Sequence, residues 1–346
     1  MIDKSYAEYA VEKTLELLAI DSPSGYTQAA AECARNEFSA LGFDAHLTQK
    51  GGVLVDLGGS GTENALLLEA HLDTLGAMVA EIKSNGRLRM TNIGGLNANN
   101  AETENVHVHT RSGKVYEGTI QLIDPSIHVN KKYNDTVRSF DTVECVLDEL
   151  VTSADDTKAL GIRVGDFICP EPRARFTEKG FIKSRYLDDK LSVGILLGLA
   201  KYLKENAPGD RRRVYAHITT YEEVGHGGSA SVPAGVSEAI SVDMGCVGNG
   251  LSCTERDVSI CPKDSGGPYS YEVTNKLIDA AEREGASYAL DIYPSYGSDV
   301  EATLSAGYDI RHGLIGAGVF ASHGYERSHI DGVWNTLKVL KGYILG

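Results

Sequence analysis

Five acidic or histidine features of the 346-residue chain could do chemistry together: His71-x-Asp73, Asp188-Asp189, Glu222-Glu223, Asp243 and His323. They offer carboxylate oxygens and imidazole nitrogens and no thiolate. That donor mixture suits two Zn²⁺ or related divalent ions. Each feature alone has a plainer reading. A histidine at a strand end usually only packs, Asp188 or Asp243 can cap a helix, and adjacent glutamates are usually solvated. Their joint placement argues for the metal site. Glu222-Glu223 follows the apolar run 214–220 and precedes Gly225, Gly227 and Gly228, so the pair belongs at the end of a buried strand. On extended backbone, neighbouring side chains point to opposite sides. One carboxylate can then bind while its neighbour works from another side. Asp73, two residues after His71, is placed to hydrogen-bond the ring and fix its tautomer.

The elements that would position these residues follow from periodicity. Helical spacing runs over about 3–20 and 27–41, the second closed by Gly42. Apolar runs at 53–57 and 65–70 read as strands, and the second delivers His71-Leu72-Asp73 at its C-terminal end. From 77 to 176 short apolar runs alternate with Gly, Asn and Asp turns, and no long helix is expected there. Helix and strand then alternate: a helix over 189–206, strands at 214–220, 239–243, 287–292 and 310–315, and helices over 268–284, 300–306 and 331–344. This implies an α/β fold with a mixed, largely parallel sheet sandwiched by helices. The expected division is a discontinuous catalytic domain, 1–76 with 177–346, and an inserted small all-β domain, 77–176.

Composition narrows the function. The net charge of -15, from 33 basic and 48 acidic residues, argues against nucleic acid, which needs a basic stripe. No apolar run is long enough to span a membrane. The N-terminal stretch lacks an apolar leader core, and the six cysteines show no Cys-x-x-Cys spacing. Reduced thiols in a cytoplasmic protein are expected. His107 and His109 share a strand face but lack a visible third ligand.

Ala70-His71-Leu72-Asp73, Leu187-Asp188-Asp189-Lys190, Glu222-Glu223-Val224-Gly225, Ser241-Val242-Asp243 and His323 with Glu326 resemble the motif set of the dinuclear metalloaminopeptidases. That family includes glutamyl, deblocking and tetrahedral (TET) aminopeptidases. Gly161-Ile162-Arg163-Val164-Gly165-Asp166 is similar to its signature near the end of the inserted domain, and Gly297-Ser298-Asp299 to its Gly-Thr-Asp loop. The resemblance covers nearly the whole chain. It implies a zinc-peptidase-like fold and a two-metal-dependent aminopeptidase that removes the N-terminal residue of short peptides. His71 and Asp243 would bind one metal, Glu223 and His323 the other, and Asp188 would bridge them. Glu222 would be the general base, with Asp73 beside it in a catalytic supporting role. Zn²⁺ is the foremost metal, with Co²⁺ or Mn²⁺ also suited. The inserted domain would mediate dimer contacts within a larger homo-oligomeric cage, commonly a dodecamer. His323-Gly324-Tyr325-Glu326 departs from the family's His-Ser-Pro-x-Glu by one residue, and His329 lies nearby as a rival ligand. The segment 322–329 also resembles a subgroup linked to the osmoprotectant N-acetylglutaminylglutamine amide. An alternative on the same site is therefore a metal-dependent amidase or deacylase acting on a small N-acyl amino acid or dipeptide.

Overall fold

A computed structural model describes residues 2–346. The chain forms two compact units. One is Thr74–Pro172; the other contains the chain before Thr74 and Arg173–Gly346.

The larger unit is built on a mixed sheet. Its centre is four parallel strands in the order Val214–Thr219, Ala65–His71, Val236–Val242 and Arg311–Phe320. Antiparallel strands flank this core: Val53–Asp56 and Asp44–Leu47 on one side, Glu326–His329, Phe181–Ser184 and Arg175–Phe176 on the other. All seven residues of Ala65–His71 are buried. That is expected of a parallel strand covered on both faces, and it explains the unbroken apolar run in the sequence. The helices Ser5–Leu18, Leu187–Asn206 and Ile330–Leu345 pack on one another. Because the four central strands are parallel, their C-terminal ends lie together; His71 ends one of them, and Glu222 and Asp243 follow two others.

The smaller unit is a closed antiparallel barrel of six strands. In barrel order these are Gly76–Ile82, Leu88–Ile93, Val143–Leu147, Val115–Leu122, Asn105–His109 and Phe167–Pro170. Alternation is visible in Asn105–His109, where Val106 and Val108 are buried while His107 and His109 are partly exposed. The two histidine rings stand edge to face, with centroids 6.2 Å apart. The division after Pro172 falls a few residues before the expected 176. The strand Arg175–Phe176 pairs with Phe181–Ser184 and so belongs to the larger sheet. Gly76 likewise already pairs within the barrel.

Periodicity missed several short strands. Asp44–Leu47 has only exposed or half-buried residues, so it lacks a clear apolar face. Val258–Lys263 contains Pro262 and pairs with Arg311–Phe320 and Tyr288–Ile292. Glu326–His329 is too polar to read as a strand.

The sheet is also tied at the opposite end from His71 and Asp243. The Glu238 side chain is 1 % exposed and meets Arg212 at 2.6 Å, Lys276 at 3.0 Å and Arg311 at 3.0 Å. The Tyr343 hydroxyl donates to it at 2.7 Å. Burial disfavours the carboxylate, but hydrogen bonds from Arg212, Tyr343 and Lys276 outweigh that and bring its pKa down to about 2. A folded-state pKa below the ordinary glutamate value stabilises the fold at neutral pH, and the contribution is lost as pH falls from about 4 toward 2. Allowing for screening of its half-exposed cations, the contribution is about 2 kcal/mol. Glu238→Gln should lose about that much in denaturant unfolding at pH 7. Its deficit relative to the parent should shrink as pH drops from about 4 to about 2.

Candidate metal centre

His71 ends its strand with the imidazole buried, 1 % exposed. Its Nδ1 lies 2.9 Å from the Asp73 carbonyl oxygen and 3.7 Å from the Asp73 carboxylate. The ring is therefore oriented by the backbone of Asp73, not by the side chain expected from spacing. The carboxylate does other work. It accepts the Glu222 N–H at 3.1 Å and the Ser24 hydroxyl, tying the His71 strand to the Glu222 turn and to the segment after the first helix. The far ring nitrogen, Nε2, lies 3.1 Å from Asp188 Oδ1 and 3.6 Å from Glu222 Oε2.

Asp188 enters at the start of Leu187–Asn206, where the backbone is not yet helical and the Asp188–Asp189 peptide is cis. The Asp188 N–H donates to Glu326 Oε2 at 3.1 Å, and the Ser322 hydroxyl donates to Asp188 Oδ2 at 3.0 Å. Glu326 also accepts the His323 N–H at 3.1 Å. This one buried carboxylate thus fixes two loops that carry site residues. Asp189 accepts the His71 N–H at 3.2 Å.

Glu222 and Glu223 do not sit on extended backbone. They lie in a 3₁₀ turn, Glu222–Val224, entered through Tyr221 at φ 80. The expectation that their side chains diverge is corrected: both carboxylates line one cavity with Asp188, Asp243 and His323. Tyr186 (φ 68) and His323 (φ 63) also adopt left-handed backbone. Non-glycine residues rarely take that conformation, and it clusters at functional sites.

Asp243 follows Val236–Val242, where its N–H donates to the Ile315 carbonyl at 2.9 Å and its Oδ1 accepts the Met244 N–H at 2.6 Å. The neighbouring strand comes so close that a Cβ at Gly316 would lie 1.4 Å from the Asp243 carbonyl oxygen. Only glycine permits that approach.

Two groups result. His71, Asp188 and Asp243 present ligand atoms within 4.8 Å of one another, and so do Asp188, Glu223 and His323. Asp188 belongs to both. His323 Nε2 is 3.5 Å from Asp188 and 3.6 Å from Glu223. The rival His329 is engaged elsewhere: one ring nitrogen meets the Lys179 carbonyl at 2.8 Å and the other accepts the Asp331 N–H at 3.0 Å, starting the last helix. His226 stacks on Tyr221, with centroids 5.0 Å apart.

The electrostatics match a cation site. Burial, then the nearby carboxylates, hold Glu222, Glu223 and Asp189 well above the usual carboxylate range and push Asp243 up to about 7. Burial works against charge on His71, but Glu222 and Asp188 outweigh it and raise the imidazole well above its usual range. The Glu223 Oε1 atom is buried without a hydrogen-bond partner. Buried carboxylates without partners are costly. Divalent cations would satisfy both the open oxygen and the excess charge, so the residues fit the metals that the sequence suggested.

Ser24, Ser322 and the bridging role of Glu326 were not foreseen. Ser22-Pro23-Ser24-Gly25 read only as a helix break, and nothing in its spacing pointed to Asp73.

The model of the family described as M42 glutamyl aminopeptidase matches residues 51–339. A Bacillus subtilis (strain 168) protein named "Putative aminopeptidase YhfE" is 42% identical over 339 residues, covering 97% of this chain and 98% of that one. Among solved structures, the aminopeptidase APDkam598 from the archaeon Desulfurococcus kamchatkensis superposes with a TM-score of 0.87 at 21% identity, covering 98% and 95% of the two chains. The Pyrococcus horikoshii TET1 peptidase, described as able to assemble into a tetrahedron or a large octahedral shell, gives 0.85 at 21% identity, with 97% and 99% covered. Agreement of the family model with a relative that matches nearly end to end places this chain in the M42 glutamyl aminopeptidase family.

Proposed function

We propose that this aminopeptidase works with two divalent cations and removes the N-terminal residue of short peptides. The observation that carries the reading is the membership of Asp188 in both ligand groups, with the Glu222 carboxylate beside them in the same cavity. In this reading His71 and Asp243 hold one cation, Glu223 and His323 the other, and Asp188 both. Zn²⁺ suits the donors, as do Co²⁺ and Mn²⁺. Cations held there would polarise the scissile carbonyl and make water more acidic. Glu222 accepts the proton of the attacking water and returns it to the leaving amine nitrogen, as a C–O bond forms and the C–N bond breaks. Burial keeps Glu222 basic enough to take that proton. Asp73 positions both His71 and Glu222 through its carbonyl and carboxylate.

The same reading makes the chain a cytoplasmic homo-oligomer, built from dimers into a cage. All six cysteines are free thiols, which suits a reducing compartment. Among the described residues no helix is long and apolar enough to cross a membrane. The barrel unit exposes Ile127, Val129 and Val137 within one connecting segment. Exposed apolar side chains grouped in this way are what an interface needs.

Three outcomes are expected. Metal analysis of gently purified protein should approach two ions per chain, and chelation should abolish hydrolysis of aminoacyl-anilides; full activity in excess chelator would remove the scheme. Glu222→Gln should keep both ions and the fold but lose at least about 10²-fold in kcat, whereas Glu223→Ala should lose one ion. Light scattering should give a mass several times the 37.1 kDa of one chain. A monomer at all concentrations would refute the assembly.

A further inference from the structure

The cavity lined by Asp188, Glu223, Asp243 and His323, about 550 Å³, has a second wall made of Met244, Cys246, Ser295 and Tyr296. We propose that this wall selects the first residue of the substrate, admitting neutral side chains such as leucine and methionine and rejecting glutamate and lysine. The inference rests on the aminopeptidase reading above.

The base gives the direction. Glu222 hands its proton to the departing amine, so Glu222 marks the leaving side. An adjoining cavity of about 460 Å³ shares Glu222, Gly225 and Gly297 and runs along the helix Asp299–Ser305. It would take the residue beyond the cut. The wall that follows Asp243 is left for the first residue.

That wall is fixed and uncharged. Met244 is buried, and its carbonyl accepts the Tyr296 hydroxyl at 2.9 Å. The Tyr296 phenol carries no charge at neutral pH, its ordinary pKa being about 10. Its ring leans on Tyr293, with centroids 5.2 Å apart, and the Tyr293 hydroxyl accepts the Cys246 N–H at 3.1 Å. Tyr296 is held from behind by Ser265, whose N–H donates to its carbonyl and whose hydroxyl oxygen accepts its N–H, both at 3.2 Å. Cys246 is a half-buried free thiol, which is neutral at pH 7. A thioether, a thiol and an aromatic face form a soft apolar surface. Among the described residues, no lysine or arginine lines this cavity. A substrate glutamate would find no cationic side chain on this wall to pair with. A substrate lysine would find only carboxylates already committed to cations.

The test is a panel of leucyl-, methionyl-, glutamyl- and lysyl-anilides with the metal-loaded protein, alongside calorimetric binding of free leucine, glutamate and lysine. Leaving a buried charge unpaired costs enough that leucine and methionine should lead in kcat/KM by at least about 10²-fold. Free leucine should bind more tightly in the same order. Ser295→Lys, at an exposed position, adds a cation to the wall and should narrow the leucine-over-glutamate ratio about tenfold. A glutamyl- or lysyl-anilide cleaved as well as the leucyl one overturns the proposal, as does equal binding of the free amino acids. If no anilide is cleaved but leucine still binds preferentially, the aminopeptidase reading falls while the selectivity of the wall stands.

Discussion

The mutual repulsion of Asp188, Asp189, Glu222, Glu223 and Asp243 is the constraint that the surrounding structure answers. All five are largely withdrawn from water, and four of them are pushed toward their neutral forms. Bringing them together takes unusual backbone at Tyr186, Tyr221 and His323, where each left-handed residue costs on the order of 1 kcal/mol or more. Hydrogen bonds hold those bends in place. Glu326 binds the backbones of both Asp188 and His323, and Asp73 binds that of Glu222. Such strain persists only where the surrounding structure over-determines it, and cation binding would give it a return.

The strand Val236–Val242 shows how far surroundings decide the behaviour of one chemical group. At its start, Glu238 lies among three cations and a tyrosine and stays ionised to about pH 2. Just past its other end, burial and then Asp188 push the Asp243 carboxyl up to about 7. Both are buried carboxylates of one segment. The first secures the sheet, while the second holds an unmet demand for positive charge.

Much of this was legible in the sequence. The buried run ending at His71, the alternation of strands and helices, and the β-rich stretch in the middle all carry strong periodic signals, and the architecture follows them. What was not legible depends on backbone direction. The Glu222-Glu223 pair follows a strand, which suggested diverging side chains, but Tyr221 turns the chain into a 3₁₀ curl and both acids enter one cavity. Asp73 orients His71 through its carbonyl because its side chain is already claimed by Ser24 and Glu222. Such competition for one carboxylate cannot be read from spacing. The polar strand Glu326–His329 was likewise invisible, since it is recruited by its partner strands and not by its own pattern.

The barrel unit separates His71 from Asp188 in the sequence, and their side chains still meet at 3.1 Å. Long insertions of this kind cost little in closure entropy, which grows only with the logarithm of length. The separation does affect the order in which the protein is made. A ribosome delivers His71 first, then the whole barrel, then Asp188, Glu223 and Asp243, and His323 last. With the proposed ligands, a growing chain holds an incomplete set until residue 323 has been added. A peptide-cutting centre that can form only so late in translation leaves nascent polypeptides nearby out of reach of its unfinished copies.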